Sequence, residues 1–298
     1  MKYKLLGKSE IKVSEVSFGC MSLQGSQQES TQMLHRALDH GITYFDTADL
    51  YDKGRNEETV GKAFQGMRDK VIIGTKVGNQ WRPDGSGWDW NPRKAYILQA
   101  VETSLKRLQT DYLDLYQLHG GTIDDPIDET IEAFELLKQQ GKIRCYGISS
   151  IRPNVIREYV QRSSMSSVML QYSLLDRRPE EEVLQLLQEH QIGVLARGSL
   201  AQGLLAGKSA KSYLSYTLEE VQQAADAVQA VAGASRTMAE TAVQYVLHHA
   251  AVTSAVLGIR TGAQLDQLIE VAQAPALKAE EVEALQTALK ANKYEAHR

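Results

Sequence analysis

The segment ITYFDTADLY, Ile42 to Tyr51, opens as an apolar run and turns polar at its far end, leaving Asp46 and Tyr51 just past a strand. Two later segments repeat the form: VIIGTK, Val71 to Lys76, ends on Lys76, and LDLYQLH, Leu113 to His119, ends on His119. Short runs of Ile, Val, Leu and Tyr suit strands buried on both faces. Each run gives way at its C-terminal end to a group that can hold or move a proton. That is the rim of a parallel barrel, whose active-site residues come from the ends of several strands.

Outward from this stretch the alternation recurs eight times. Candidate strands are Val13–Phe18, Ile42–Phe45, Val71–Thr75, Leu113–Gln117, Ile143–Ile148, Val168–Leu170, Ile192–Leu195 and Ser254–Leu257. Helical spacing fills the gaps, as in Leu34, Ala37 and Leu38, in Ile131, Phe134 and Leu137, and in Val183, Leu186 and Leu187. Strand and helix in alternation imply parallel βαβ units, and eight of them in about 250 residues match a closed barrel. Glycine follows helix ends at His40-Gly41 and Gln140-Gly141. Proline opens helices at Asn91-Pro92 and Arg152-Pro153. The expected fold is α/β: a single (β/α)8 TIM barrel over residues 1–298. To it are added an N-terminal β-hairpin (Tyr3 to Leu5 with Ile11 to Val13), an extra helix before strand 8 within Thr217–Ala250, and a C-terminal helix from Leu277 to Ala291. Asn79 to Asn91, which holds all three tryptophans, reads as a loop on the catalytic rim. With Lys208 to Thr217 it is expected to edge the substrate pocket.

Bulk properties exclude several classes. The 298 residues are 43% hydrophobic and 23% charged, ordinary for a globular protein able to bury a large core without metal or disulfide staples. A net charge of −4 with no basic cluster argues against nucleic acid. Cys20 and Cys145 read as buried small hydrophobes. No signal-like start and no apolar run of spanning length occur, so a cytoplasmic protein with no membrane partner is expected. Adjacent His248 and His249 cannot share a helix face as metal ligands do, and no metal is expected. Gly203 to Ser209 imitates a P-loop, but the first glycine would fall at Gln202, and the spacing fails. No oligomeric state is written in this pattern.

The four polar residues make chemical sense together. A tyrosine can donate a proton to a carbonyl oxygen, but its reference pKa of about 10 makes it reluctant near neutrality. A lysine cation beside a phenol favours the phenolate. An aspartate can keep that lysine charged and oriented, while a histidine hydrogen-bonds the carbonyl. Read singly, each has a plainer role as a cap, a rim charge or packing.

These strings resemble the aldo-keto reductase family over nearly the whole chain. FDTADLY, GTK and LYQLH look like its Asp-Tyr-Lys-His tetrad, and GRNEETVGKAF, Gly54 to Phe64, approaches its GxNEExVGKAF pattern. GKIR at Gly141, YGIS at Tyr146, QYSLL at Gln171 and LAQGLLAGK at Leu200 follow in family order. The resemblance implies hydride transfer between NADP(H) and a small-molecule carbonyl substrate, with Tyr51 as acid/base, Lys76 and Asp46 behind it, and His119 orienting the carbonyl. It implies a nicotinamide site at Ser149 and Gln171, with Gly19, Cys20 and Met21 beside the first strand's end. Ser199, Leu200, Gln202 and Gly203 would meet the pyrophosphate, and Gly258, Arg260, Gln264 and Gln267 the 2′-phosphate and adenine. This chain departs from the family at Ser150, where an asparagine is usual, and at Leu268, where one is often found. It also departs at Arg197, which takes the place of a tyrosine that stacks on the nicotinamide; a guanidinium plane can stack likewise. A second reading keeps the fold but makes it a slow nucleotide-binding sensor, as potassium-channel β subunits resemble these enzymes. An isomerase or lyase on the same barrel fits the string around Arg260 less well.

Overall fold

The computed structural model describes all residues, 1–298. It begins with an antiparallel pair, β1 (Tyr3–Leu5) and β2 (Lys12–Ser14), followed by β3 (Val16–Gly19) and helix α1 (Gln27–Asp39). Next come β4 (Tyr44–Asp46), α2 (Arg55–Ala63), β5 (Ile72–Val77), the pair β6 (Asn79–Trp81) and β7 (Trp88–Trp90), and α3 (Lys94–Leu108). They are followed by β8 (Leu113–Leu118), α4 (Ile127–Gln139), β9 (Ile143–Ser149), α5 (Pro153–Arg162), β10 (Ser167–Gln171), α6 (Val183–Glu189) and β11 (Gly193–Arg197). The chain closes with α7 (Leu218–Ala232), α8 (Met238–His248), β12 (Val252–Gly258), α9 (Gly262–Val271) and α10 (Ala279–Ala288). Strands β3, β4, β5, β8, β9, β10, β11 and β12 form a closed parallel barrel. The eight-stranded barrel, the hairpin, the additional helix before the last strand and the C-terminal helix match the expectation.

Two layers of apolar side chains hold this together. Outward-facing strand residues such as Phe45, Tyr116, Ile148, Leu170 and Ala255 join the helices in one large buried cluster. Inward-facing Tyr44, Leu115, Cys145, Met169, Leu195 and Val256 fill the barrel, and Leu6, Ile11 and Val13 from the hairpin plug its floor. The period-two alternation of a strand sends neighbours to opposite faces, so both faces must be apolar. Helices α1, α7 and α8 each start on a reciprocal capping box, Ser26 with Glu29, Thr217 with Glu220 and Thr237 with Glu240. Both cysteines are free and buried.

Three local expectations are corrected. The first strand breaks at Glu15: Lys12–Ser14 belongs to the floor hairpin and the barrel strand starts at Val16. The segment Asn79 to Asn91 is a two-stranded ladder rather than a loop, pairing Asn79 with Trp90 and Trp81 with Trp88 around a Pro-Asp-Gly turn. Pro92 lies one residue before the N-cap Arg93, not at the first helical position. By contrast, Pro153 opens α5 as expected.

Candidate active site

Two residues along a strand return to the same face about 6.6 Å higher. Above inward Tyr44 therefore stands Asp46, above Gly74 Lys76, above Leu115 Gln117, above Met169 Gln171, and above Leu195 Arg197. The apolar filling of the barrel thus changes to polar groups in one pleat at its C-terminal mouth. Gly74 makes room for this: a Cβ there would lie 2.3 Å from the Tyr44 hydroxyl oxygen, which donates to Asp46 Oδ1 at 3.1 Å.

Lys76 is fully buried. Its Nζ donates to Asp46 Oδ2 at 2.5 Å, to the Thr47 carbonyl at 2.7 Å and to Tyr51 Oη at 3.3 Å. Gln117 Nε2 reaches Asp46 Oδ1 at 3.5 Å. Burial alone would push the Lys76 ammonium down, but the Asp46 carboxylate and the Tyr51 phenol outweigh it and raise it above its ordinary value. Burial also raises the Asp46 carboxyl, against the pull of Lys76. The lysine is thus held as a cation at the one place where its charge meets the phenol oxygen.

Tyr51 starts a tight turn in which Asp52 (φ 49°), Lys53 (φ 55°) and Gly54 (φ 87°) are all left-handed. Two non-glycine residues in that region cost of order 1–3 kcal/mol each, so the surroundings must hold them. The string after Tyr51 does so. Asn56 accepts from Thr47 Oγ1 at 2.7 Å and donates to the Cys20 carbonyl at 2.9 Å. Glu57 accepts from Thr75 Oγ1 at 2.6 Å and pairs with Arg107 at 3.2 Å. Gly61 lets α2 lie against α3, where a Cβ would come within 2.6 Å of the Leu108 backbone.

His119 completes the group. Its backbone N–H is fixed on the Val77 carbonyl at 2.7 Å, and its ring stands edge-on to Tyr51 with centroids 5.8 Å apart. Burial, then the charges of Lys76 and Arg197, lower its pKa to about 3. The imidazole is therefore neutral at physiological pH, with one N–H to donate and one lone pair.

Tyr51, His119, Ser149, Arg197 and Met21 line a cavity of about 960 Å³ at the barrel mouth. A second, of about 340 Å³, begins at the next residues, Gly198 and Ser199, and is lined by Leu200, Gln202, Gly203, Gly258, Arg260, Gln264 and Gln267. Five groups of the expected set stand apart from both cavities, buried Lys76 among them. Gly19 packs on the Leu257–Gly258 backbone, Cys20 is sealed in the core, Asp46 lies behind Lys76, and Gln171 spends its amide on Arg197 and Tyr213, each at 3.1 Å. Leu268 forms an apolar wall of the second cavity. The tryptophans do not edge the mouth cavity: Trp90 is tied to Asp125 at 3.0 Å, and the rim is built by Leu214, Ser215 and the segment Asn292 to His297. Sequence reading missed that segment because it carries no motif, and missed Tyr44 and Gln117 because buried strand residues look alike until the barrel closes.

The paired cavities suit an elongated anionic cofactor. Ser199 Oγ is buried without a partner beside the second cavity. Ala201, Gln202 and Gly203 are successively left-handed, a backbone form that makes anion-binding concavities. Lys208 and Arg260 stand at the same cavity with no carboxylate attached.

The model of the aldo/keto reductase family matches residues 15–290. The chain belongs to that family, and it is an oxidoreductase that acts on carbonyl compounds with a nicotinamide cofactor. It is 53% identical over 307 residues to the uncharacterized oxidoreductase YqkF of Bacillus subtilis, with 100% of each chain covered. It is also similar to aldo-keto reductase AKR11C1 from Bacillus halodurans. The holo form of that enzyme superposes with a TM-score of 0.95 at 50% identity, over 100% of this chain and 99% of that one. The apo form gives 0.87 at 46% identity, over the same shares.

Proposed function

We propose that the chain reduces aldehydes or ketones to alcohols with NADPH, and that Tyr51 is the proton donor. The observation that carries this reading is the buried line Asp46–Lys76–Tyr51, ending in a phenol that opens on the mouth cavity beside neutral His119. When bound, the reduced nicotinamide supplies a hydride to the carbonyl carbon and becomes oxidised. Tyr51 Oη gives its proton to the carbonyl oxygen, so C=O becomes CH–OH. Lys76 stabilises the negative charge left on the phenol oxygen, and Asp46 keeps Lys76 charged and aimed. His119 donates its N–H to the carbonyl oxygen and fixes its position.

For the cofactor, Ser149 and Gln171 would hold the carboxamide, Gln171 by exchanging its present partners, and Arg197 would stack on the nicotinamide. Met21, at the mouth cavity, would border the ring, with Gly19 and Cys20 behind it. Ser199, Leu200, Gln202 and Gly203 would take the pyrophosphate. Gly258, Gln264 and Gln267 would frame the adenosine, and Arg260 would grip the 2′-phosphate through charge-assisted hydrogen bonds. We place the protein in the cytoplasm; no helix is long and apolar enough to cross a membrane. The test is NADPH and NADH oxidation over a panel of aldehydes, ketones and quinones, with Tyr51→Phe beside the wild type. Reduction by the wild type and none by the variant, at nearly unchanged NADPH affinity, is expected. Normal turnover by Tyr51→Phe would refute the role of the phenol.

A further inference from the structure

The mouth cavity has walls whose charge is out of keeping with a chain of 33 basic and 37 acidic side chains. Arg152, Arg178, Arg197 and Lys293 line it, against a single carboxylate, Glu295. Arg178 is neutralised by two bonds of 2.7 Å to buried Asp176. The other three cations meet no carboxylate. Arg152 donates to the Gly121 carbonyl and Arg197 to the Gln171 amide, while Lys293 is exposed.

Arg197 stands at the join of the two cavities and belongs with the cofactor. Arg152 and Lys293 line the mouth cavity and, unlike Arg197, have no chain neighbour in the second. Specific bonds fix the segments that carry them. Arg152 is the N-cap of α5, and the Asn154 N–H at the start of that helix donates to the His297 carbonyl at 2.9 Å. Asn292, next to Lys293, accepts from the Arg177 N–H and its own N–H donates to Tyr216 Oη, both at 2.9 Å. Apolar Leu50, Ile151 and Leu214 line the same cavity.

We propose that Arg152 and Lys293 bind an anionic group carried by the carbonyl substrate. The preferred class is then an aldehyde or ketone with an apolar body that ends in a carboxylate or a phosphate. The carbonyl lies at Tyr51 and His119 and the anion at the cationic wall. This inference rests on the reading of Tyr51 as the proton donor in carbonyl reduction. An arginine in a partly desolvated wall forms forked hydrogen bonds to either anion, whereas an exposed lysine adds mainly screened charge. Arg152 should therefore carry more of the effect than Lys293.

The experiment compares 4-carboxybenzaldehyde with its methyl ester, and glyceraldehyde 3-phosphate with glyceraldehyde, using the full chain with saturating NADPH. Expected is a kcat/KM at least about tenfold higher for an anion than for its neutral partner, reduced by salt. Arg152→Gln should remove about tenfold of that advantage, and Lys293→Gln a few-fold, while the neutral substrates change less than about twofold. A gain confined to the carboxylate or to the phosphate names the anion. Equal rates for anion and neutral partner, or equal losses for both in the variants, overturn the proposal. Calorimetric titration of 4-carboxybenzaldehyde into the NADP⁺ complex reads the anion site without turnover. Binding lost in Arg152→Gln, in a protein that reduces nothing, would support the site and refute the reductase reading. No binding in the wild type would overturn the site itself.

Discussion

Replacing Lys76 by methionine keeps the length of the side chain and removes its charge. At 2.5 Å and an effective dielectric of about 20, the attraction between Lys76 and Asp46 is about 7 kcal/mol. Much of that offsets the desolvation of two buried ions, and breaking one partner out of such a pair costs about 3–5 kcal/mol. The cost arises because Asp46, already raised by burial, is left without its cation. Its native pKa then rises further above the unfolded value. The native variant keeps a proton that the unfolded chain has released, so stability falls as pH rises through the native pKa and is regained in acid. Lys76→Met should therefore lose about 4 kcal/mol relative to wild type at pH 8.5 and clearly less at pH 5.5. Adding Asp46→Asn should return about 2 kcal/mol at pH 8.5, because an amide can still accept from Tyr44 without a buried charge. Urea unfolding followed by tryptophan fluorescence measures the wild type, Lys76→Met, Asp46→Asn and the double variant. A pH-independent loss in the single variant, with strictly additive losses in the double, would refute a charged buried pair.

Further outcomes test the same geometry. Arg260→Ala should weaken NADPH binding about tenfold while NADH changes little, as measured by fluorescence titration; equal loss for both would reject the 2′-phosphate role. His119 has a native pKa lowered to about 3 against 6.5 in the unfolded chain, so its contribution is present above pH 6.5 and is lost between about pH 6.5 and 3. His119→Gln should flatten the unfolding free energy in that window by up to about 4 kcal/mol. Gly61→Ala should destabilise by about 1–3 kcal/mol through the clash with the Leu108 backbone, seen as a lower urea midpoint. An unchanged midpoint would mean that α2 does not pack as closely as described.

The barrel and its tetrad candidates were legible along the chain because both are written in local chemistry. Strands buried on two faces must be apolar throughout, so a polar residue such as Asp46 or Lys76 at a strand end stands out. The ladder at Asn79 to Trp90 was hidden because its turn residues signal only a break. The split at Glu15 was hidden because Val13 and Val16 are equally apolar and serve different sheets.

The sequence by itself determined the eight-fold alternation, the polar strand ends and the family resemblance, since each depends on neighbours a few residues apart. Only the tertiary structure decided which groups face one another. Tyr44 meets Asp46 through the space left by Gly74, Arg152 and Lys293 line one cavity, and the rim is built from Asn292 to His297 rather than from the tryptophans. Those juxtapositions join residues up to 140 positions or more apart, and only barrel closure brings them to one mouth.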